Sequence, residues 1–333
     1  WHRKPENQYK FRSSYLFSPL HCLDAAFGAD GHHDAAAVKE GGIHAGPEAV
    51  QQIKRNKCLH RTGKATAVDP VSAPPLQIAG TQGQCHSHIL PGIDDGSESL
   101  EESIAMLRLE AEQGIRHVVA TPHFYAQHDS IEDFLERRAE AEWLLRKEME
   151  KHQGLPEITV GAEVYFFRGI GQSDVLQRLR VGNSAYSLIE MPVCNWTDSM
   201  YEELSHIYHD QGITPIMAHV DRYFTRFRTF GIPEKLEQLP VLVQANASFF
   251  CGSSASRALR MLQKEQIHLL GSDCHNMHSR QPNLGKAIER IRKQCGDEVL
   301  AVVSLIAGEA VEKLTWQELF ARLLGRVAMG KCS

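Results

Sequence analysis

From Leu76 onward, short β-type runs alternate with helical patterns almost to the end of the chain, and no other feature restricts the fold as much. Strands separated by helices lie parallel, so this rhythm calls for an α/β fold built on a parallel sheet or barrel. The strand-type runs are Arg116–Thr121, Ile158–Ala162, Tyr186–Ile189, Thr214–Ala218, Val241–Ala245 and His268–Ser272. Helices are predicted at Leu100–Gln113, Ile131–His152, Ser199–Gln211, Ser254–Glu265 and Pro282–Gln294. The first of these is capped by Ser97 or Ser99 and stopped by Gly114. Residues 76–333 suffice for one α/β barrel, which typically takes about 250 residues. The run TWQELFARLL, Thr315–Leu324, reads as a last amphipathic helix on its outside.

Residues 1–75 read differently, with a polar start, a Gly/Ala/His-rich middle and a Pro-containing linker, TAVDPVSAPPLQIAG, that runs into the barrel segment. Without a sustained period of either secondary structure, this segment is expected to be a largely disordered extension, with a short helix near Pro47–Lys54. The first methionine is Met106, which suggests a fragment, an unusual start or an upstream read-through. The chain is 42% apolar with no run of about 18 apolar residues, so no membrane insertion is expected. A net charge of −5 argues against a nucleic-acid partner. Eight cysteines form no CxxC pair and no regular framework. They are read as reduced thiols, which places the protein in the cytoplasm.

The chemistry sits where the strands end. His86 and His88, in GQCHSHILPGIDDGS, face the same side of a strand roughly 7 Å apart, close enough to grip one metal ion. Further metal-capable residues follow at successive strand ends: Asp95 (GIDDG), His123 (VATPH), Glu163 (VGAEV), Glu190 (SLIEMP), His219 (IMAHVDRY), then Asp273 and His275 (LGSDCHN). In an α/β barrel those ends converge on one rim. Each alone reads as readily as a helix cap, a satisfied histidine or a surface carboxylate; nine in succession do not. Imidazole and carboxylate without thiolate suit Mn, Fe or Zn in an open catalytic site. Cys85 and Cys274 neighbour these donors, but strand alternation aims them at the opposite face as packing residues. The set serves two metals comfortably and three plausibly. Three divalent cations would leave a local charge of about +2, suited to a phosphate dianion.

Arg222 and Arg280 follow His219 and His275 on what should be rim loops. Guanidinium forks there could hold phosphoryl oxygens while metals polarise the ester and generate hydroxide. These parts point to metal-assisted hydrolysis of a phosphomonoester.

The motifs HSHILPGIDDGS, EESIAMLRLEAEQGI, VATPH, GAEVYF, LIEMP, AHVDRY, QANASF and GSDCHN, in this order, resemble the polymerase and histidinol phosphatase (PHP) superfamily. Within it the chain is most similar to the bacterial manganese-dependent tyrosine-protein phosphatases of capsule and exopolysaccharide biosynthesis, over about Leu76 to Val311. The resemblance implies a distorted (β/α)7 TIM-like barrel with a trinuclear centre. It implies ligand roles for His86, His88, Asp95, His123, Glu163, Glu190, His219, Asp273 and His275, and phosphoryl binding by Arg222 and Arg280. Its implied substrate is the phosphotyrosine tail of a bacterial tyrosine kinase that regulates polysaccharide synthesis. Hydroxide generated at the metals would attack phosphorus in line and the tyrosine leave as phenolate, with His275 or His123 as candidate donors to it. A homo-oligomer is left open. Departures from the family pattern are Gln84 for the usual Asp, which puts ligand orientation in question, and Val220 and Asp221 for Pro and Glu in the loop of Arg222.

The sequence also admits three rival readings. Cys251 and Arg257 match the C-x5-R spacing of cysteine-dependent phosphatases, with Ala258 where a Ser or Thr normally assists. A histidinol-phosphate phosphatase or other PHP phosphoesterase would share the metal chemistry and differ at the rim. A non-catalytic phosphotyrosine-binding module would lack a bridging carboxylate, and no such gap is seen.

Overall fold

Strands and helices alternate through residues 82–223, 231–297 and 299–300, the part of the chain that the computed structural model describes. The expected extension over 1–75, the short helix at Pro47–Lys54 and the amphipathic helix at Thr315–Leu324 lie outside the described residues. The strands are β1 (Gln82–Ser87), β2 (Ile115–Ala120), β3 (His123–Phe124), β4 (Glu157–Val160), β5 (Glu163–Tyr165), β6 (Tyr186–Glu190), β7 (Thr214–Met217), β8 (Leu242–Asn246) and β9 (Leu269–Gly271). Around them lie α1 (Leu100–Glu112), α2 (Ile131–Met149), α3 (Val175–Leu179), α4 (Asp198–Gln211), α5 (Ile232–Leu236), α6 (Ala247–Cys251), α7 (Ala255–Gln263) and α8 (Leu284–Cys295). The predicted strands and helices recur within a few residues of their expected ends. The short β3, β5, α3, α5 and α6 were not anticipated, being too brief to show a period.

Every strand pairing is parallel, in the orders β1-β2-β4 and β3-β5-β6-β7-β8-β9. The division has a local cause. Thr121–Pro122 separates β2 from β3, and Pro122 has no N–H to give a ladder; Gly161–Ala162 separates β4 from β5. Backbone bonds carry the course across both gaps, from Gly161 N–H to the Ala120 carbonyl (2.8 Å) and from Glu163 N–H to that of Pro122 (3.0 Å). At the far edge a single bridge joins Ser87 to Cys274. The result is a curled, incompletely closed parallel sheet flanked by helices.

Two apolar layers sit on its two faces. In β6, Tyr186 and Leu188 join Cys85, Ile216, Ala218, Leu242 and Leu269 in a small inner cluster, while Ile189 faces the larger core under the helices. Each fully buried aliphatic side chain there contributes about 1.5–3 kcal/mol. Cys274 packs in the outer core as expected, but Cys85 does not. A register irregularity between Gln84 and Ser87 turns it onto the inner face, beneath the histidines. Its thiol donates to the Leu270 carbonyl at 3.1 Å.

Ser99, not Ser97, caps α1, its hydroxyl accepting from the Glu102 N–H at 3.2 Å. The buried stripe of α1 contains Ile104 and Leu107 and, one turn on, the fully buried Glu110. Gln84 donates to Glu110 Oε1 at 2.5 Å and accepts from the Ser272 N–H at 2.8 Å. The residue that replaces the usual Asp therefore braces β9 against α1. Burial lifts the Glu110 carboxyl to about 7, against the opposing bonds from Gln84, Cys274 and Ser272. A carboxyl whose pKa rises on folding takes up a proton as the chain folds. Its penalty is absent below about 4.5, grows as pH rises toward 7 and is complete above it. Glu110→Gln removes that penalty. In urea denaturation, the stability difference between variant and wild type is expected to move in the variant's favour by about 3 kcal/mol from pH 4.5 to pH 8. A difference independent of pH would refute it.

Candidate metal centre

Because all the strands are parallel, their C-terminal ends lie at one edge, and there the nine expected donors come together. They form three overlapping groups: His88, Asp95, His123 and His275; His86, His88, Glu163 and Asp273; and His123, Glu163 and Glu190, with donor atoms in each within 4.8 Å of one another. His219 joins through Nε2, 2.8 Å from Glu163 Oε1 and 3.3 Å from Glu190 Oε1. Glu163 is the hub. Its Oε2 lies 3.0 Å from His86 Nε2 and 3.2 Å from both His88 Nε2 and His123 Nδ1.

These donors satisfy one another only in part. His86 and His88 face each other nitrogen to nitrogen at 3.2 Å. His123 Nδ1 and His275 Nε2 are buried and make no well-aligned hydrogen bond. The carboxylate oxygens nearest to them lie 3.2 Å from His123 Nδ1 and 3.4 Å from His275 Nε2. Buried polar atoms left in this way are costly unless a further body satisfies them. A nitrogen and oxygen set of this kind fits divalent cations, and the groups are able to bind more than one.

The electrostatics agree. Burial alone would depress the His88 imidazole, but Asp94 and then Glu163 raise it to about 10; burial likewise opposes His219, which Glu163 and Glu190 raise to about 9. Burial and the neighbouring His88 lower His275 to about 4, leaving it a neutral imidazole ready to ligate. Burial would raise Glu163 and Asp273, yet His86 beside both, with His123 near Glu163 and Arg222 near Asp273, holds them far below the usual carboxylate range. Removing a cation from such a set leaves charge that protons and the neighbouring Arg222 and Arg280 must balance.

Several residues that the sequence reading missed orient these donors. Asp94 Oδ2 lies 2.7 Å from His88 Nδ1 and accepts from the His123 N–H at 3.0 Å. This holds the proton on Nδ1, so Nε2 is the nitrogen that would give up its proton to ligate a cation. Gly96 lets the loop fold back over His88, since any side chain there would collide with the His88 backbone. Gln244 Oε1 accepts from the His219 N–H at 2.5 Å and lies 3.3 Å from His86 Nδ1. Asn246 Nδ2 donates to Asp273 Oδ2 at 3.1 Å. Gln244 and Asn246 stand i, i+2 at the end of β8, so the strand-end logic applied to them too; being amides, they drew no attention as metal donors. His219 and Asp273 are both left-handed, at φ 32° and 53°, a strain of about 1–3 kcal/mol each for non-glycine residues.

Both expected arginines reach the same carboxylate. Arg222 Nη2 contacts Asp273 Oδ2, Arg222 Nη1 lies 3.5 Å from Glu190 Oε1, and Arg280 Nη2 lies 2.7 Å from Asp273 Oδ1. They line a polar cavity of about 350 Å³ that also takes in Asp221, Asn246 and Ser248. The departure at Asp221 has a use here, because its carboxylate accepts from the Asn246 N–H at 2.9 Å and ties the arginine loop to β8. The C-x5-R rival finds no support. Cys251 is the last residue of the short helix α6 rather than part of a loop leaving a strand, and burial moves its thiol up when a nucleophile needs it down.

Residues 84–311 match the family model for capsular polysaccharide synthesis, CpsB/CapC. The tyrosine-protein phosphatase CpsB of Streptococcus pneumoniae is 31% identical over 232 residues, covering 63% of this chain and 90% of that protein. CpsB of Streptococcus agalactiae serotype III is 28% identical over 230 residues, covering 64% and 90%. The tyrosine-protein phosphatase YwqE of Bacillus subtilis is 28% identical over 220 residues, covering 64% and 85%. A crystal structure from work on YwqE and S. pneumoniae CpsB, described as unique metal-dependent tyrosine phosphatases, superposes with a TM-score of 0.62. At 23% identity it covers 70% of this chain and 96% of that one, and it shows a shared fold.

Proposed function

This chain belongs to the capsular polysaccharide synthesis family CpsB/CapC, and on that premise we propose that it is a metal-dependent phosphatase whose substrate is phosphotyrosine in protein. The observation that carries this reading is the sharing of His88, His123 and Glu163 among three donor groups beside two arginines. In this reading the curled sheet is the PHP-type seven-stranded barrel, residues 76–333 form the phosphatase and 1–75 an extension to it. The metals are two or three Mn ions, with Fe or Zn as alternatives. Their ligands are His86, His88, Asp95, His123, Glu163, Glu190, His219, Asp273 and His275.

Divalent cations in such a site polarise phosphoryl oxygens and lower the pKa of water. The chain's own residues do the rest. Arg222 and Arg280 lie where guanidinium forks can take phosphoryl oxygens, and Asp94, Gln244 and Asn246 hold the donors in orientation. A phenol leaving group, with pKa near 10, needs little help from an acid; His275 and His123 remain the candidates to donate. The physiological substrate would be the tail of a tyrosine kinase governing polysaccharide synthesis. The five cysteines among the described residues are free thiols, which supports a cytoplasmic placement. Among the described residues no helix is long and apolar enough to cross a membrane.

Histidinol phosphate is the rival substrate. The deciding assay measures turnover of a phosphotyrosine peptide and of histidinol phosphate by the full chain, with metals stripped and then restored as Mn, alongside elemental analysis. Peptide turnover that vanishes on stripping and returns with Mn is expected. Faster turnover of histidinol phosphate, or indifference to stripping, would overturn the reading.

A further inference from the structure

The register of the strands places two tyrosines one step beyond His123 and Glu163, level with Glu190. His123 pairs with Glu163 across these strands. Two residues further along each course stand Tyr125 and Tyr165, and residues at i and i+2 share a face of the sheet. The step between the layers is about 6.6 Å. The rings lie side by side, with centroids 5.6 Å apart, and the Tyr125 ring is 5.4 Å from that of His123. Both tyrosines are half-buried. Across the donors, on the loops after β7 and β9, sit Arg222 and Arg280. The rim is thus cationic on one side and aromatic on the other.

We infer that Tyr125 and Tyr165 form an aromatic platform that receives the ring of an aryl phosphate and makes the site select aryl over alkyl phosphate monoesters. The inference rests on the phosphatase reading above and adds the residues that would set its substrate class. A phosphoryl group held at the donor layer leaves its ester oxygen directed toward the rim. The group bonded to that oxygen then meets the layer one step above. An aryl ring can stack there in offset or edge-to-face geometry, whereas the flexible chain of an alkyl phosphate gains little. The tyrosines touch the substrate's ring and leave the bond-breaking step to the donors beneath.

The test compares wild type with Tyr125→Ala, Tyr165→Ala, Tyr125→Phe and Tyr165→Phe, each checked for Mn content. The ratio of kcat/KM for phenyl phosphate over β-glycerophosphate is measured, together with calorimetric binding of phenylphosphonate and methylphosphonate. Each alanine variant is expected to lower the aryl-to-alkyl ratio, in turnover and in binding, by about three- to tenfold, the worth of an aromatic pair. The phenylalanine variants should retain it. Unchanged ratios in both alanine variants, or an equal loss toward aryl and alkyl ligands, would overturn the platform. Wild-type protein inert toward phenyl phosphate with Mn restored would instead count against the phosphatase reading, while the phosphonate ratios still decide the platform.

Discussion

Glu163→Gln is expected to lower kcat/KM on a phosphotyrosine peptide on the order of 10³-fold or more, and to lower the metal content measured by elemental analysis. Among the carboxylates of the centre it contacts the most imidazoles. One carboxylate meets His86, His88, His123 and His219, and it belongs to two of the three donor groups. An amide keeps the shape but carries one neutral oxygen and one N–H group that cannot ligate. The substitution therefore removes a bridging charge without opening a cavity, so the circular dichroism spectrum should be preserved. Wild-type turnover with full metal content would remove the centre proposed here.

Asp273→Ala should cost a comparable factor by a different route. Its carboxylate belongs to the group with His86 and His88 and is also the anion that both Arg222 and Arg280 contact. Its loss leaves two guanidinium groups beside the remaining donors with less negative charge to face, which weakens cation binding at that group. Alanine is also poorly suited to the left-handed backbone at this position, whereas asparagine adopts it readily. Asp273→Asn therefore separates the causes. If both variants lose activity to the same extent, the carboxylate's charge is responsible. Activity retained in Asp273→Asn would show that only the backbone mattered and would take Asp273 out of the proposed ligand set.

The strand-helix rhythm was legible because it is a local property: the parallel order of β6, β7 and β8 follows from apolar runs separated by amphipathic segments. The donors were legible for a related reason. A histidine or carboxylate at a strand end stands out by type and position, and parallel strands bring such ends to one edge. The interruptions at Thr121–Pro122 and Gly161–Ala162, which shift the course from one ladder to the other, were hidden in runs read as single strands. Cys85 was assigned to the wrong face because alternation assumes a regular strand, and β1 is irregular between Gln84 and Ser87.

What the sequence determined by itself, then, was the kind of fold and the inventory of donors, since side-chain period and chemical type are written residue by residue. Only the tertiary structure decided that Glu163 would be the hub, that Asp94 and Gln244 would orient imidazoles, and that Gln84 would turn to Glu110 and Ser272. Those relations join residues as far apart as Gln84 and Ser272, 188 positions along the chain. Which distant groups meet is settled by sheet register and by the packing of helices on its outer face, and neither leaves a periodic trace in the sequence.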